Sequence, residues 1–267
     1  MSPWEQSDGL SSVAQDYLKV IWTAQEWSPD KVSTKMLAEK IGVSASTASE
    51  SIRKLADAGL VDHEKYGAVT LTEDGRRAAL AMVRRHRLIE TFLVCELGYG
   101  WDEVHDEAEV LEHAVSDRLI ARIDAKLGFP QRDPHGDPIP APDGQVPTPP
   151  ARQLWACADG ETGTVARISD NDPEMLRYFA QVGISLDARF FNHLDLHSLQ
   201  DLLDDRNLCV QFVRHALSGT FILLKHLMTE GRVMCIKGHS KVIRLLFLQN
   251  LKQDIQKTKY CIGILSL

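Results

Sequence analysis

Apolar residues recur at helical spacing in the first part of the chain, separated by polar residues. This periodicity predicts three helices, over residues 11–27, 33–41 and 45–58. Gly42 breaks the chain between the second and third helices, and Ser44 is placed to cap the third one. Gly59 follows the last turn of that helix, a position that commonly holds glycine. The pattern therefore predicts three short helices joined by tight turns.

The pattern changes after the third helix. The stretch LVDHEKYGAVTLT predicts two short strands on either side of Tyr66 and Gly67. Two longer helices are then predicted, over residues 73–97 and 103–127. A helix, a glycine-bearing turn, a second helix and a β-hairpin occur in this order in winged helix-turn-helix domains. The N-terminal part is therefore predicted to be such a domain.

A proline-rich segment follows these helices. Residues 128–150 contain 8 of the 11 prolines of the chain. Such a segment cannot form a helix and has too few apolar residues for a core, so it predicts an extended linker. The chain is then divided into a helical N-terminal part and a separate C-terminal part.

The charge is distributed unevenly along the chain. Residues 31–87 contain 11 Lys and Arg against 7 Asp and Glu, whereas residues 88–130 contain 3 against 10. The formal net charge of −7 excludes a generic polycation that coats nucleic acid. The local imbalance instead suits the first segment to phosphate and the second to cations.

The cysteines and the N-terminus bear on the compartment. The five cysteines are far apart and form no CxxC pair, which is typical of a reducing cytoplasm. The N-terminal residues lack the basic and apolar regions of a signal peptide. No apolar run reaches the ~18 residues that span a bilayer. We therefore expect a cytoplasmic protein without a membrane partner.

The third helix has small hydroxyl residues and basic residues on its outer face, which suit close approach to base edges and phosphates. The candidate DNA-binding residues, including one in the hairpin, are Ser44, Ser46, Thr47, Ser49, Glu50, Arg53, Lys54 and Lys65. A Ser/Thr-rich helix start can also be only a good cap, and such domains can bind proteins. Double-stranded DNA is the partner that the pattern favours.

The acidic segment carries a candidate metal site. In VHDEAEVLEH, two histidines and two glutamates fall at i, i+4, i+7 and i+8, on one face of a helix. In RRHRLIE, a histidine and a glutamate are i, i+4 partners. If the two helices pack together, His86 can join Glu109, Glu112 and His113, and Glu90 and His105 form a neighbouring site.

Other roles for these residues stay open at this point. A glutamate on a helix is often only solvated, and a histidine beside it is often an ion pair. A metallohydrolase could use the same ligands, although the order HxxxExxEH differs from the HExxH order of zinc proteases. A protein-interaction module without metal is a further alternative.

The segments SASTASESIRKL, RRHRLIE and VHDEAEVLEH, with the hairpin, resemble the diphtheria-toxin-repressor family of metal-dependent transcriptional regulators, in its actinobacterial manganese transport regulator branch. The resemblance covers about residues 10–189. It implies a homodimeric winged-helix repressor, not an enzyme, that binds palindromic operator DNA when loaded with Mn²⁺ or Fe²⁺. Such repressors control genes of metal uptake.

The resemblance also implies two sets of metal ligands. The primary set is Asp16, His86, Glu109, Glu112 and His113. The ancillary set is Glu90, His105 and Asp172. Iron-sensing members typically have Met and Cys where this chain has Asp16 and Glu109, and hard carboxylate oxygens favour Mn²⁺. An iron-dependent repressor is the alternative within the family.

The predicted fold class is mainly α, and the resemblance adds an SH3-like β domain that is incomplete or replaced by a helical tail. After residue 189 alanine becomes rare and helix-like segments replace the expected strands. The predicted organisation is a winged helix-turn-helix domain (1–75), a helical metal-binding and dimerisation domain (76–140), a Pro-rich linker (141–153), a partial SH3-like domain (154–189) and an atypical tail (190–267).

Overall fold

A computed structural model describes residues 9–27, 30–63, 67–147, 151–153, 162–181, 183–191 and 262–266. The chain divides into two compact units, and the first unit ends at Pro147. This boundary falls within residues 141–153, the range assigned to the linker. Among the described residues, no helix combines the length and the hydropathy needed to cross a membrane.

The first unit begins with three helices and a hairpin. They are α1 (Ser12–Trp27), α2 (Thr34–Ile41), α3 (Ala45–Asp57), β1 (Val61–His63) and β2 (Val69–Leu71). The Ser33 hydroxyl caps α2 by accepting a hydrogen bond from the Met36 backbone N–H, and Ser44 caps α3 through the N–H of Thr47. The two strands pair antiparallel, with Asp62 opposite Thr70. The predicted order of helices and hairpin is confirmed.

The helical part that follows differs from the prediction at one point. It consists of α4 (Glu73–Leu97), α5 (Val104–Leu111) and α6 (Asp117–Lys126). The prediction of a single helix over 103–127 is wrong, because α5 stops at Leu111 and Ser116 caps a new helix. The Ser116 hydroxyl accepts a hydrogen bond from the Leu119 N–H. Glu112 and His113 therefore lie where α5 ends.

Two apolar clusters form the core of the first unit. The first joins α1, α2, α3, the hairpin and the start of α4. The second joins the later part of α4 with α5, α6 and Ile139. Between the two clusters, Arg84, Arg85, His86 and Arg87 of α4 are all buried. Buried polar groups need partners, so this stretch of α4 organises the polar interior of the unit.

The proline-rich segment was predicted to be an extended linker over residues 128–150, and this is wrong for its central part. Residues 135–140 are all buried, and Ile139 belongs to the second apolar cluster. Asp133 Oδ1 accepts hydrogen bonds from the N–H groups of His135 (2.8 Å) and Asp137 (2.9 Å), which closes a tight turn. The segment is anchored by polar contacts, which a count of apolar residues does not detect.

The second unit contains a four-stranded antiparallel sheet of strand order β3-β6-β4-β5. Its elements are β3 (Ala151–Gln153), β4 (Thr162–Ile168), α7 (Pro173–Gln181), β5 (Arg189–Phe191) and β6 (Ile262–Ser266). The order strand, helix, strand agrees with the prediction for residues 154–189.

The tail differs from its prediction at its far end. Residues 262–266 form β6, a central strand with Ile264 opposite Val165, although helix-like segments were expected to replace the strands. This end of the chain is a short apolar run, which is also typical of a buried strand. The helix-like segments themselves, at 198–217 and 241–255, lie outside the described residues.

Candidate metal centre

Side chains from three helices meet beside the buried stretch of α4. Asp16 comes from α1, His86 from α4, and Glu109, Glu112 and His113 from α5 and the turn after it. Ligand atoms of Asp16, Glu112 and His113 lie within 4.8 Å of one another, and so do those of His86, Glu109 and Glu112. The structure thus brings together all five residues of the predicted primary set.

The predicted ancillary residues Glu90 and His105 adjoin this group through His86. His86 Nε2 lies 3.0 Å from Glu90 Oε1 and 3.2 Å from His105 Nδ1. The other ring nitrogen, His86 Nδ1, lies 2.6 Å from Glu112 Oε2. One imidazole therefore connects the two groups of candidate ligands.

Asp172, the third predicted ancillary residue, belongs to the second unit. Its Oδ1 atom accepts hydrogen bonds from the N–H groups of Glu174 (3.0 Å) and Met175 (3.1 Å) at the start of α7. This contact is a helix cap. A role of Asp172 as a metal ligand stays a prediction.

Sequence reasoning missed Lys19, which lies among the candidate ligands. Its ammonium donates hydrogen bonds to Glu109 Oε1 and Glu112 Oε1, both at 2.6 Å, and its side chain is only 8% exposed. Lys19 follows Asp16 by three residues and so shares its face of α1. The available signal in the sequence was the position of this lysine between Leu18 and Ile21, two apolar residues that lie in the core.

Burial and charge shift the pKa values of the cluster in opposite directions. Burial lowers the pKa of His86, but the carboxylates of Glu90 and Glu112 outweigh it and raise that pKa to about 9. Burial raises the pKa of Glu112, and His86 and Lys19 outweigh it, so the pKa is lowered. His86 is therefore an imidazolium that donates to both carboxylates. A metal ligand must be a neutral imidazole, so metal binding at His86 releases a proton.

The donor set fits the hard divalent ion that the resemblance implies. It consists of carboxylate oxygens, which suit Mn²⁺, and of imidazole nitrogens, and it contains no sulfur. Asp16 Oδ1 is buried and lies 2.9 Å from His113 Nε2. The angles of this contact do not suit a hydrogen bond, and within the described part of the chain this oxygen accepts none. Burial is the largest influence on Asp16 and raises its pKa. An oxygen in this situation is available to a cation.

A second buried polar network is centred on Arg87, one residue after His86. Arg87 of α4 donates to Glu26 Oε2 of α1 at 2.6 Å and to the carbonyl oxygen of Pro138 at 2.7 Å. Its Nη2 also lies 3.2 Å from Asp137 Oδ2, and its Nε 3.7 Å from Asp133 Oδ2. Burial lowers the pKa of Arg87, but these carboxylates raise it overall. The network fixes α1 and the proline-rich segment to α4.

The outer face of α3 is available to a partner. Each candidate DNA-binding residue on and just before α3 is exposed. Ser44 also caps the helix, and Glu50 pairs with Lys54 at 2.8 Å on the surface. Lys65 lies outside the described residues. The remaining hydroxyl and basic groups face outward, as contacts to DNA require.

Comparisons with known families divide the first unit into two domains. Residues 9–69 match the family described as the iron dependent repressor, N-terminal DNA binding domain. Residues 72–141 match its metal binding and dimerisation domain. The first match covers the winged helix-turn-helix, and the second covers α4, α5, α6 and much of the proline-rich segment.

Individual proteins and structures are also similar. The iron-dependent repressor IdeR of Mycobacterium tuberculosis is 34% identical over 131 residues, which are 49% of this chain and 56% of that protein. The chain thus spans about half the length of such curated relatives. A structure described as a manganese-dependent transcriptional repressor in complex with manganese is 88% identical, with a TM-score of 0.64, covering 66% of this chain and 81% of that one. The manganese regulator SloR is 37% identical, with a TM-score of 0.59, covering 67% and 82%.

Proposed function

Because the chain belongs to the iron-dependent repressor family, which includes the diphtheria toxin repressors, we propose that it is a metal-dependent transcriptional repressor. It binds palindromic operator DNA as a homodimer in the cytoplasm when loaded with Mn²⁺, and it controls genes of metal uptake. The family is one of transcriptional repressors and not of enzymes, so a metallohydrolase is not supported.

One observation carries the proposal. Candidate ligands come from α1, which belongs to the same apolar cluster as the DNA-facing helix α3, and from α5, which belongs to the other cluster. Asp16, His86, Glu109, Glu112 and His113 would hold the ion. A bound divalent ion supplies the positive charge that neutralises these carboxylates. Ligands on both clusters then favour one arrangement of α1 relative to α5, and hence one docking geometry of α3.

Manganese is the ion that the ligands and the relatives favour. The donor set contains oxygen and nitrogen but no sulfur. The 88% identical structure is described as a manganese-dependent repressor in complex with manganese. Iron is the second candidate, because several relatives, IdeR among them, are named iron-dependent repressors. In the ancillary set, Glu90 and His105 adjoin His86, and Asp172 is proposed to complete it.

A homodimer is supported by the match of residues 72–141 to a metal binding and dimerisation domain. Four large apolar side chains are exposed within the segment that matches the dimerisation domain: Leu97, Val110, Leu119 and Phe129. Two copies of α3 would then face half-sites about 34 Å or a multiple of that apart.

The proposal predicts that Mn²⁺ tightens binding to operator DNA. The natural operator is titrated with chelator-treated protein, with and without Mn²⁺, by fluorescence anisotropy, and in parallel with Fe²⁺ under anaerobic conditions. We expect a marked gain in affinity with Mn²⁺. An equal affinity with and without both metals would refute metal activation, and a response to Fe²⁺ alone would favour the iron sensor.

Arg53 is predicted to contact phosphate from the exposed face of α3. Replacing Arg53 with alanine is expected to weaken operator binding and to lower the slope of log K against log salt by about 1. Lys35→Ala on α2, also exposed and 3.8 Å from Glu39, is a control of the same charge. An unchanged salt slope in Arg53→Ala would exclude a phosphate contact.

A further inference from the structure

The ammonium of Lys19 is buried among the candidate metal ligands and pairs with two of them. It lies 2.6 Å from one oxygen of Glu109 and 2.6 Å from one oxygen of Glu112, and the Glu112 side chain is fully buried. A buried ammonium is costly unless it is paired and hydrogen-bonded. Here two carboxylates provide both, so the ammonium acts as the counter-cation of the acidic cluster.

A divalent ion in this cluster would take ligands from the same two carboxylates that hold this ammonium. Hard divalent cations bind carboxylate oxygens at about 2.0–2.6 Å, close to the distance of Lys19 Nζ from the same atoms. Two positive charges that share these oxygens would be in contact, and their repulsion in a buried site is strong. The ammonium and the ion therefore compete for the carboxylates of Glu109 and Glu112.

We propose that Lys19 is an internal competitor for the metal. Its ammonium holds Glu109 and Glu112 in the metal-free protein and has to leave when Mn²⁺ binds, so Lys19 raises the Mn²⁺ concentration at which the protein loads. This inference rests on the proposed function, because it takes the cluster as the metal site.

The position of Lys19 in the fold gives this competition a second consequence. Lys19 joins α1 to the end of α5, and these are the elements that Asp16, Glu109 and Glu112 would join through an ion. In the metal-free protein, the lysine thus makes the same connection with a single charge. Removing it leaves His86 as the cation beside Glu112, 2.6 Å from Oε2, and leaves the two carboxylates with less positive charge to offset their repulsion, which is unfavourable. Lys19 therefore stabilises the metal-free protein and opposes metal loading.

The test compares substitutions that remove or keep the charge. Lys19→Gln removes the charge and keeps a hydrogen-bond donor, and Lys19→Met removes both. Lys19→Arg keeps the charge. Lys126→Gln, at a surface lysine that pairs with Glu96 at 2.9 Å, is the matched control for net charge. Chelator-treated full-length proteins are titrated with Mn²⁺ by isothermal titration calorimetry, and thermal unfolding is followed without metal.

We expect Lys19→Gln to bind Mn²⁺ about 10- to 100-fold more tightly than the wild type, since the ion no longer displaces two charge-assisted hydrogen bonds. Its metal-free midpoint of unfolding should fall, and Mn²⁺ should raise it by more than in the wild type. Lys19→Arg and Lys126→Gln should show no gain in affinity. Should Lys19→Met fold only when Mn²⁺ is added, the lysine's role as the counter-cation would be supported.

The outcomes separate this inference from the proposed function. If the wild type binds Mn²⁺ and Lys19→Gln binds it equally tightly, the competition is refuted and the metal site stands. If Lys19→Arg gains as much as Lys19→Gln, the charge is not the cause and the competition is again refuted. If neither the wild type nor Lys19→Gln binds Mn²⁺ stoichiometrically, both the competition and the proposed metal site are wrong.

Discussion

Replacing Arg87 with methionine is expected to lower the free energy of unfolding by about 3–5 kcal/mol, the usual effect of removing one partner of a buried ion pair. The Arg87 side chain is only 4% exposed and contacts carboxylates of α1 and of the proline-rich segment. Methionine has a similar length and leaves these buried carboxylates without their cation. Urea unfolding at pH 7.5 measures the loss.

Arg77 is the matched control for this substitution. It lies on the same helix, is 38% exposed, and pairs with Asp74 and Glu73 on the surface. Arg77→Met should change the stability by less than about 1 kcal/mol. Equal losses for both variants would show that burial of the Arg87 network contributes nothing beyond ordinary surface pairing.

The loss caused by Arg87→Met should also depend on pH. Burial, together with Asp137 and Glu90, raises the pKa of Asp133 to about 8, and Arg87 is one of the groups that lower it. Removing Arg87 raises that pKa further. A carboxyl whose folded pKa exceeds its unfolded value stabilises the fold below the unfolded pKa, and this contribution is lost as pH rises towards the folded pKa. The deficit of the variant relative to the wild type should therefore be smaller at pH 5.5 than at pH 8.

Local signals in the sequence were sufficient for most elements of the first unit. Apolar spacing, the cap at Ser44 and the hairpin pattern predicted the helices α1 to α4 and the two strands. The break between α5 and α6 was missed, because the apolar spacing continues through it and only Ser116 signals a new start. Periodicity describes which residues face the core but not whether the helix axis is continuous.

Spacing along the chain predicts only part of the candidate site, and Asp16 entered the predicted set through the family resemblance. Glu109, Glu112 and His113 follow one another closely in the chain, so their proximity could be read from the sequence. The contact between Lys19 and Glu112 joins residues 93 positions apart, and that between Arg87 and Pro138 joins residues 51 apart. Such contacts depend on how helices pack, which no local pattern specifies.

Replacing Glu112 with glutamine is expected to weaken Mn²⁺ binding by more than about 100-fold, because loss of an outer-shell partner alone costs about 10- to 100-fold. Among the candidate ligands described, Glu112 belongs both to the group with Asp16 and His113 and to the group with His86 and Glu109, and it is fully buried. Glutamine keeps the shape but removes the negative charge and one acceptor. Calorimetric titration with Mn²⁺ measures the loss, and operator binding should then no longer respond to Mn²⁺.

Asp106→Asn is the matched control, because Asp106 is exposed on α5, the helix that ends just before Glu112, and the change in charge is the same. It should retain the Mn²⁺ affinity and the metal response of the wild type. Thermal unfolding without metal verifies that Glu112→Gln is folded, since Lys19 and His86 also lose a charged partner there. A folded Glu112→Gln that still binds Mn²⁺ as tightly as the wild type would mean that the ion is held elsewhere. The link between α1 and α5 would then have to be made without it.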